Sequence, residues 1–257
     1  MEKGTVAAES GHFYWPDSRP CYEIENKSKP GTMRGTTVRD AKKLGLYPSV
    51  TTVLQVIAKP GLESWKMQQV ILASLTLPTI EGETLEAYAV RVMADSKEQC
   101  KKACDLGTLI HGEIEKHYLG KSVMEEHIDR CWAVDTEIDA RFGDQDWSAE
   151  KSFACDLGYG GKCDLYSDEY VVDFKTKPFT ADNLPKLYDE HSIQLAAYRF
   201  GLGVPDARCA IAFVSTIEPL VHIIEIEEKE LMRGFSMFKH ALEYWKEQKK
   251  YNPCEVE

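Results

Sequence analysis

Gly160-Gly161-Lys162-Cys163-Asp164-Leu165-Tyr166-Ser167-Asp168-Glu169-Tyr170-Val171-Val172-Asp173-Phe174-Lys175-Thr176-Lys177 reads as a β-hairpin carrying a charged triplet. Two runs rich in β-branched and aromatic residues flank Ser167-Asp168-Glu169, a polar turn cluster. If Tyr166 pairs with Val171, Leu165 faces Val172 and Asp164 lies across from Asp173. Side chains alternate along a strand, so Lys175 joins the aspartates on one face, and Cys163, Leu165, Val172 and Phe174 fall on the other, the expected core face. Cross-strand Cβ atoms sit roughly 5 Å apart, and like charges placed there destabilise the sheet. A divalent cation would offset that repulsion, since carboxylates and water are the hard ligands that suit Mg²⁺ or Mn²⁺. One alternative stays open on the hairpin alone: a slip of one residue turns the aspartates apart and leaves solvated surface charges.

Around this hairpin lies a chain of 257 residues, long enough for one substantial domain with an elaborated helical part. Hydrophobic content of 43% marks it as globular. No run approaches the ~18 apolar residues of a membrane span. Met1-Glu2-Lys3-Gly4 lacks the apolar segment of a signal peptide, so a cytoplasmic protein without membrane partners is expected. The eight cysteines are scattered without a CxxC pair, as expected of reduced thiols. A formal charge of −11 excludes a surface coated in phosphate-binding groups and confines any nucleic-acid contact to a groove or channel.

Pro- and Gly-punctuated sequence from 11 to 46 predicts an irregular or hairpin-bearing arm, set off as residues 1–46 from a domain of 47–257. Ser49 caps a predicted helix over Val50 to Ile57, and a second helix covers Leu62 to Leu75. Thr84 caps a long helix to Cys104, followed by Asp105 to Leu119 as another helix or the same one bent at Gly107. Glu125 to Phe142 completes the helical part of 47–145. Strands then take over: Trp147 to Ala154 and the hairpin. A helix over Glu190 to Leu202, strands over Ala207 to Ser215 and Leu220 to Ile226, and a covering helix over Glu228 to Lys249 follow. The order predicts an α+β fold with a mixed sheet behind a helical N-terminal part.

Chemistry-bearing residues recur outside the hairpin. His111 and Glu115 sit one turn apart on one helical face, beside the core residues Ile110 and Ile114. Gly107 and Gly112 cost that helix roughly 1 kcal/mol each relative to Ala, which suggests close approach of another backbone. Gln194 and Tyr198 are likewise one turn apart, suited to donate to a phosphate and to stack on a base. For each pair, an ordinary packed or hydrogen-bonded role is the alternative.

Taken in order, GTLIH with a following Glu, E-x-S-F with G-x-x-D, V-V-D-F-K-T, and Q-x-x-x-Y resemble the RecB-like branch of the PD-(D/E)XK nuclease superfamily, over Gly107 to Tyr198. The stretch Arg39 to Leu54 is similar, more loosely, to phage and prophage exonuclease-like members. The resemblance implies a restriction-endonuclease-like αβββαβ core. It also implies a metal-dependent DNA exonuclease of phage or prophage recombination, repair or processing, acting on linear ends or single strands, with a recombination partner protein. A structure-specific endonuclease or a catalytically silent DNA-binding module are the competing readings. Carried over, the resemblance makes His111, Asp164 and Asp173 ligands of one or two Mg²⁺ or Mn²⁺ ions, with the Phe174 carbonyl a further ligand. Asp164, Asp173 and Lys175 form the catalytic set, Lys175 acting on the attacking water and the transition state. Gln194, Tyr198 and Lys177 contact substrate, while Glu115 and Glu150 lie behind the ligands. Iron-sulfur members carry a C-terminal cysteine triplet; here that end offers only Cys254, so no cluster is expected.

Overall fold

The computed structural model describes residues 11–255. Met1 to Gly4 and the rest of the first ten residues of the expected arm lie outside that span. The centre is a five-stranded mixed sheet. Around it run, in chain order, β1 (Phe13–Tyr14), β2 (Glu23–Glu25), β3 (Met33–Gly35), α1 (Val38–Leu44), β4 (Tyr47–Pro48), α2 (Val50–Val53), α3 (Pro60–Thr76), α4 (Leu85–Tyr118) and α5 (Ile128–Phe142). The remainder is β5 (Ser148–Cys155), β6 (Tyr159–Tyr166), β7 (Tyr170–Lys177), α6 (Asp189–Gly201), β8 (Arg208–Ser215), β9 (Val221–Ile226) and α7 (Glu228–Lys249). From α5 to β8 the order is the expected αβββαβ in an α+β fold. The sheet runs β5-β6-β7-β8-β9. Its β7–β8 pair is parallel and the others are antiparallel. None of the described helices is long and apolar enough to cross a membrane.

Strand β8 shows why the sheet is central. Its Cys209, Ile211 and Phe213 enter one core with α6, α7 and the arm, while Ala210, Ala212 and Val214 enter a second core with α4 and α5. A strand buried on both faces reads as a continuous apolar run, which is what Cys209 to Val214 is. Burial of both faces corrects the expectation of a single core face. Val172, Leu165 and Phe174 do pack inward against α4 and α5, but Cys163 joins the opposite layer, and α6 covers the face that carries Asp173.

Three element boundaries depart from the sequence reading. The predicted Val50 to Ile57 helix closes after one turn of α2, with Ser49 accepting from the Thr52 N–H at 2.9 Å, and continues as a 3₁₀ turn over Leu54–Val56. The alternatives for 85–119 resolve into the single 34-residue α4, capped by Thr84. Within the arm the irregular stretch contains a helix, α1. Asp40 accepts from the Thr37 N–H at 3.0 Å and from both Arg34 nitrogens at 2.7 and 2.9 Å, and Gly45 ends the helix in the left-handed conformation. The T-x-x-D signature of this capping box was present in the sequence. The arm is bound into the fold: β1 pairs with β4, Phe13 is fully buried, and the Tyr251 hydroxyl donates to the Ala41 and Leu46 carbonyls at 3.0 and 2.9 Å.

The α6–α7 contact is set by Gly234. A Cβ there would lie 2.7 Å from the Ser192 carbonyl oxygen, and backbone cannot yield as a side chain can. Gly234→Ala therefore lowers stability by about 1–3 kcal/mol in urea denaturation, because the clash outweighs the roughly 1 kcal/mol that Ala returns in helix propensity. Gly112 is the control. Its Cβ would meet nothing within 4 Å, contrary to the expected close approach, so Gly112→Ala stabilises α4 by up to about 1 kcal/mol.

A pH test applies to the α1 cap. The Arg34 guanidinium, helped by Thr37, holds the Asp40 carboxyl well below its ordinary value against the opposing effect of burial. A depressed pKa contributes stability above the unfolded value, lost as pH falls below it. Asp40→Asn is expected to cost about 1–2 kcal/mol at neutral pH. The gap between variant and parent should narrow as chemical denaturation is repeated at progressively lower pH below ~4.

Candidate metal centre and active site

Register builds the site. Leu165 pairs with Val172 and Tyr166 with Val171, as the hairpin reading requires, and the ladder ends one position short of Asp164 and Asp173. On the other side, Ala149 pairs with Leu165 and Lys151 with Cys163, which sets Glu150 across from Asp164. Glu150, Asp164 and Asp173 thus bring one carboxylate each from three adjacent strands. Neither acidic pair belongs to a backbone ladder. The β6–β7 pairing ends at Leu165–Val172, although β6 continues along β5 and β7 along β8. At the freed edge the Phe174 N–H donates to Asp164 Oδ2 at 2.7 Å, a side chain replacing the missing strand partner. Glu150 takes a left-handed backbone, φ 58°, in mid-strand. For a residue with a Cβ that costs roughly 1–2 kcal/mol, the kind of strain that persists where its surroundings over-determine it.

Charges are balanced locally. His111 Nε2 stands 3.0 Å from Asp164 Oδ2. Lys175 pairs with Asp173, and Lys162 pairs with Glu150. Asp173 is 2% exposed, and its Oδ1 accepts from Gln194 Nε2 at 2.7 Å. Burial pushes the Asp173 carboxyl up, with the Asp164 charge adding to it against Lys175. Burial also opposes ionisation of Asp164, but His111 outweighs it and holds that carboxyl down. For His111 and Lys175 burial works against the charged form as well, and the facing carboxylates prevail, so both are raised.

The structure distributes the predicted residues in three ways. His111, Glu150 and Asp164 each offer a ligand atom, and these atoms lie within 4.8 Å of one another. Asp173 stands beside that group, held by Gln194 and Lys175. The compact donor set therefore contains Glu150, expected behind the ligands, in the place expected of Asp173. Phe174 contributes its N–H to Asp164 and buries its side chain in the α4–α5 core, where it meets the His111 ring edge-on at 6.3 Å. Gln194 and Tyr198 are buried, 8% and 5% exposed. The Gln194 amide donates to Asp173 and to the Tyr198 hydroxyl, at 2.7 and 3.0 Å. Lys177 lies over the rings of Tyr188 and Phe213. Glu115 sits within electrostatic reach of Tyr22 in the arm. Gly107 packs against the Thr176 side chain, with its Cβ position 2.6 Å from Oγ1, so α4 crosses β7 closely just before His111.

No protein-family model matches this chain. No curated protein matches it. Solved structures that resemble it include a candidate exonuclease from Eubacterium rectale, at 13% identity and TM-score 0.43, over 56% of this chain and 68% of that one. Another is an alkaline exonuclease from Laribacter hongkongensis, at 17% identity and TM-score 0.27, over 54% of this chain and 82% of that one.

The donor set fits a hard divalent cation on its own chemistry. One imidazole and two carboxylates suit Mn²⁺ or Mg²⁺, with the imidazole favouring the softer of the two. Glu150 Oε2 is paired with the Lys162 ammonium and Asp173 Oδ2 with the Lys175 ammonium, so both buried carboxylates are held in the charged form that a cation requires.

One residue in this arrangement has no sequence signal beyond its strand: Lys162, the partner of Glu150. The position of Glu150 itself follows from the three-residue connection Asp156-Leu157-Gly158, because pairing Cys155 with Tyr159 across it sets Glu150 opposite Asp164. Gln194 provides a test of the site's internal support. Gln194→Leu leaves Asp173 Oδ1 buried without its donor and is expected to lower stability by about 1–3 kcal/mol in urea denaturation.

Proposed function

We propose that the protein is a divalent-metal-dependent DNA nuclease of the RecB-like PD-(D/E)XK type, an exonuclease of phage or prophage DNA processing. The observation that carries this reading is the row Glu150–Asp164–Asp173, flanked by His111 and Lys175. It supplies a cation site and a fixed ammonium in one place. We assign His111, Glu150 and Asp164 as the residues that would hold Mg²⁺ or Mn²⁺, with Asp173 adjoining. A cation held there would supply Lewis-acid chemistry, activating water and offsetting charge on a phosphodiester.

The chain's own groups do the rest. Lys175 stays protonated because Asp173 and Asp164 outweigh its burial, so it serves as a donor and a fixed positive charge rather than as a free base. Such a charge stabilises the anion that develops on a phosphoryl group at no cost of reorientation, since its partner already holds it. Gln194 and Tyr198 act through Asp173, fixing its carboxylate from behind. The Phe174 N–H does the same for Asp164. The division into an arm, 1–46, and a nuclease domain, 47–257, belongs to this proposal, as do DNA ends or single strands as substrate.

End-labelled linear DNA and closed circular DNA, each incubated with and without Mn²⁺, test the reading. Loss of linear DNA alone is the expected result; nicked circles would instead mark an endonuclease, and no cleavage a binding module. Lys175→Ala is expected to lower cleavage by at least about 100-fold, in the range of a lost transition-state donor. It should keep most of the Mn²⁺-dependent rise in melting temperature, whereas Glu150→Gln should lose that rise. Undiminished cleavage by Lys175→Ala would falsify the catalytic assignment.

A further inference from the structure

A cleft of about 820 Å³ opens between the arm and α2. Its size falls within the roughly 300–1,000 Å³ of small-ligand sites. His12, Trp15, Tyr22, Thr51 and Gln55 are among the residues that line it. His12 and Tyr22 form a tilted ring pair, centroids 4.5 Å apart. Trp15 contributes a third ring, with the Arg19 guanidinium 6.0 Å from its centroid. Thr51 and Gln55 add polar groups to the lining, and Glu23 one acidic group.

A chain of contacts links the cleft to β6, the strand of Asp164. The Tyr22 and Tyr14 hydroxyls are 2.6 Å apart, and Tyr14 packs on Gly160, where a Cβ would come 3.0 Å from the tyrosine side chain. Gly160 begins the part of β6 that leads to Asp164. Electrostatic coupling agrees with that placement. Burial and then the Lys162 charge push the His12 imidazole down, and burial, with the Asp164 charge contributing, pushes the Tyr14 phenol up. Charge is favourable too. Residues 13–45 carry seven basic and four acidic side chains, in a chain whose net charge is −11.

We propose that this cleft is a base-stacking subsite that receives unpaired nucleotides of a nucleic-acid strand and leads that strand to the carboxylate row; it rests on the nuclease reading. Every base offers a π-face to an aromatic side chain, whereas in a duplex those faces are covered by neighbouring base pairs. Rings beside a local basic surplus match that chemistry, with the phosphates meeting the arm's lysines and arginines and the bases meeting Trp15, Tyr22 and His12.

The test measures binding in EDTA, so that it does not depend on hydrolysis. A fluorescently labelled single-stranded oligodeoxynucleotide is compared by anisotropy with a fully abasic strand of the same length. The parent protein is expected to bind the base-bearing strand at least roughly tenfold more tightly, the effect of stacking one or more bases. Trp15→Ala should lose most of that difference, and Trp15→Phe should retain it. His12→Ala gives the same comparison should Trp15→Ala fail to fold, and is expected to narrow the difference. Equal binding of the two strands by the parent, or full discrimination in both alanine variants, overturns the subsite. Failure of Mn²⁺-dependent cleavage would overturn the nuclease reading separately, because base discrimination is read without metal.

Discussion

Three carboxylates side by side across three strands is the constraint on which this structure depends. Opposed like charges oppose strand pairing, and here both ladders omit the acidic positions. The sheet survives because the cost is met locally: Lys162, Lys175 and His111 set three basic groups against three acidic ones, and the Phe174 and Gln194 N–H groups satisfy further oxygens. The interruption is also what makes the site. A continuous β6–β7 ladder would consume the Phe174 N–H in strand pairing.

The rest of the architecture holds this row in place from both sides. Helix α4 brings His111 down from one face, anchored by Ile110 and Ile114 in the core, and passes close to Thr176 because residue 107 has no side chain. Helix α6 brings Gln194 to the other face and is itself held by α7 through Gly234. A charged row between two apolar layers has little freedom to rotate. Its low exposure strengthens each interaction and raises the penalty for leaving one unmade. That setting explains why the cations present are short-range ion pairs rather than solvated surface lysines.

Much of this was legible in the sequence, because hairpin pairing is set by turn length and strand alternation. Val171, Val172 and the Ser167-Asp168-Glu169 turn were enough to set the Leu165–Val172 and Tyr166–Val171 pairing, and Thr84 and Ser49 marked helix starts as their residue types require. What was not legible depended on tertiary packing. Gln194 and Tyr198 have the chemistry to meet a substrate, and only the position of β7 beneath α6 turns them inward to Asp173. The covering of the charged face by α6 and α7 could not follow from alternation, which separates two faces without saying which is buried. Glu150 is a different case. The register of the β5–β6 connection contained its placement, but the left-handed backbone at that position breaks the regular strand pattern and has no signature in a glutamate.

An acidic protein proposed to act on a polyanion presents an apparent conflict, and distance resolves it. At physiological ionic strength charges are screened beyond about 8 Å, so a strand approaching the cleft responds to the arm's basic surplus and not to the acidic remainder of the surface. Inside, the three carboxylates are already matched by Lys162, Lys175 and His111, so under the proposed reading a bound cation would supply the positive surplus that receives a phosphate. The two regions would therefore act in sequence along one path. On the proposed reading, the arm would bind a strand by charge and stacking irrespective of metal, and the phosphate would engage the carboxylates only with a cation held by His111, Glu150 and Asp164. Such a division makes strand binding and phosphate engagement separable events, with the Tyr14–Gly160 contact as the physical junction between them.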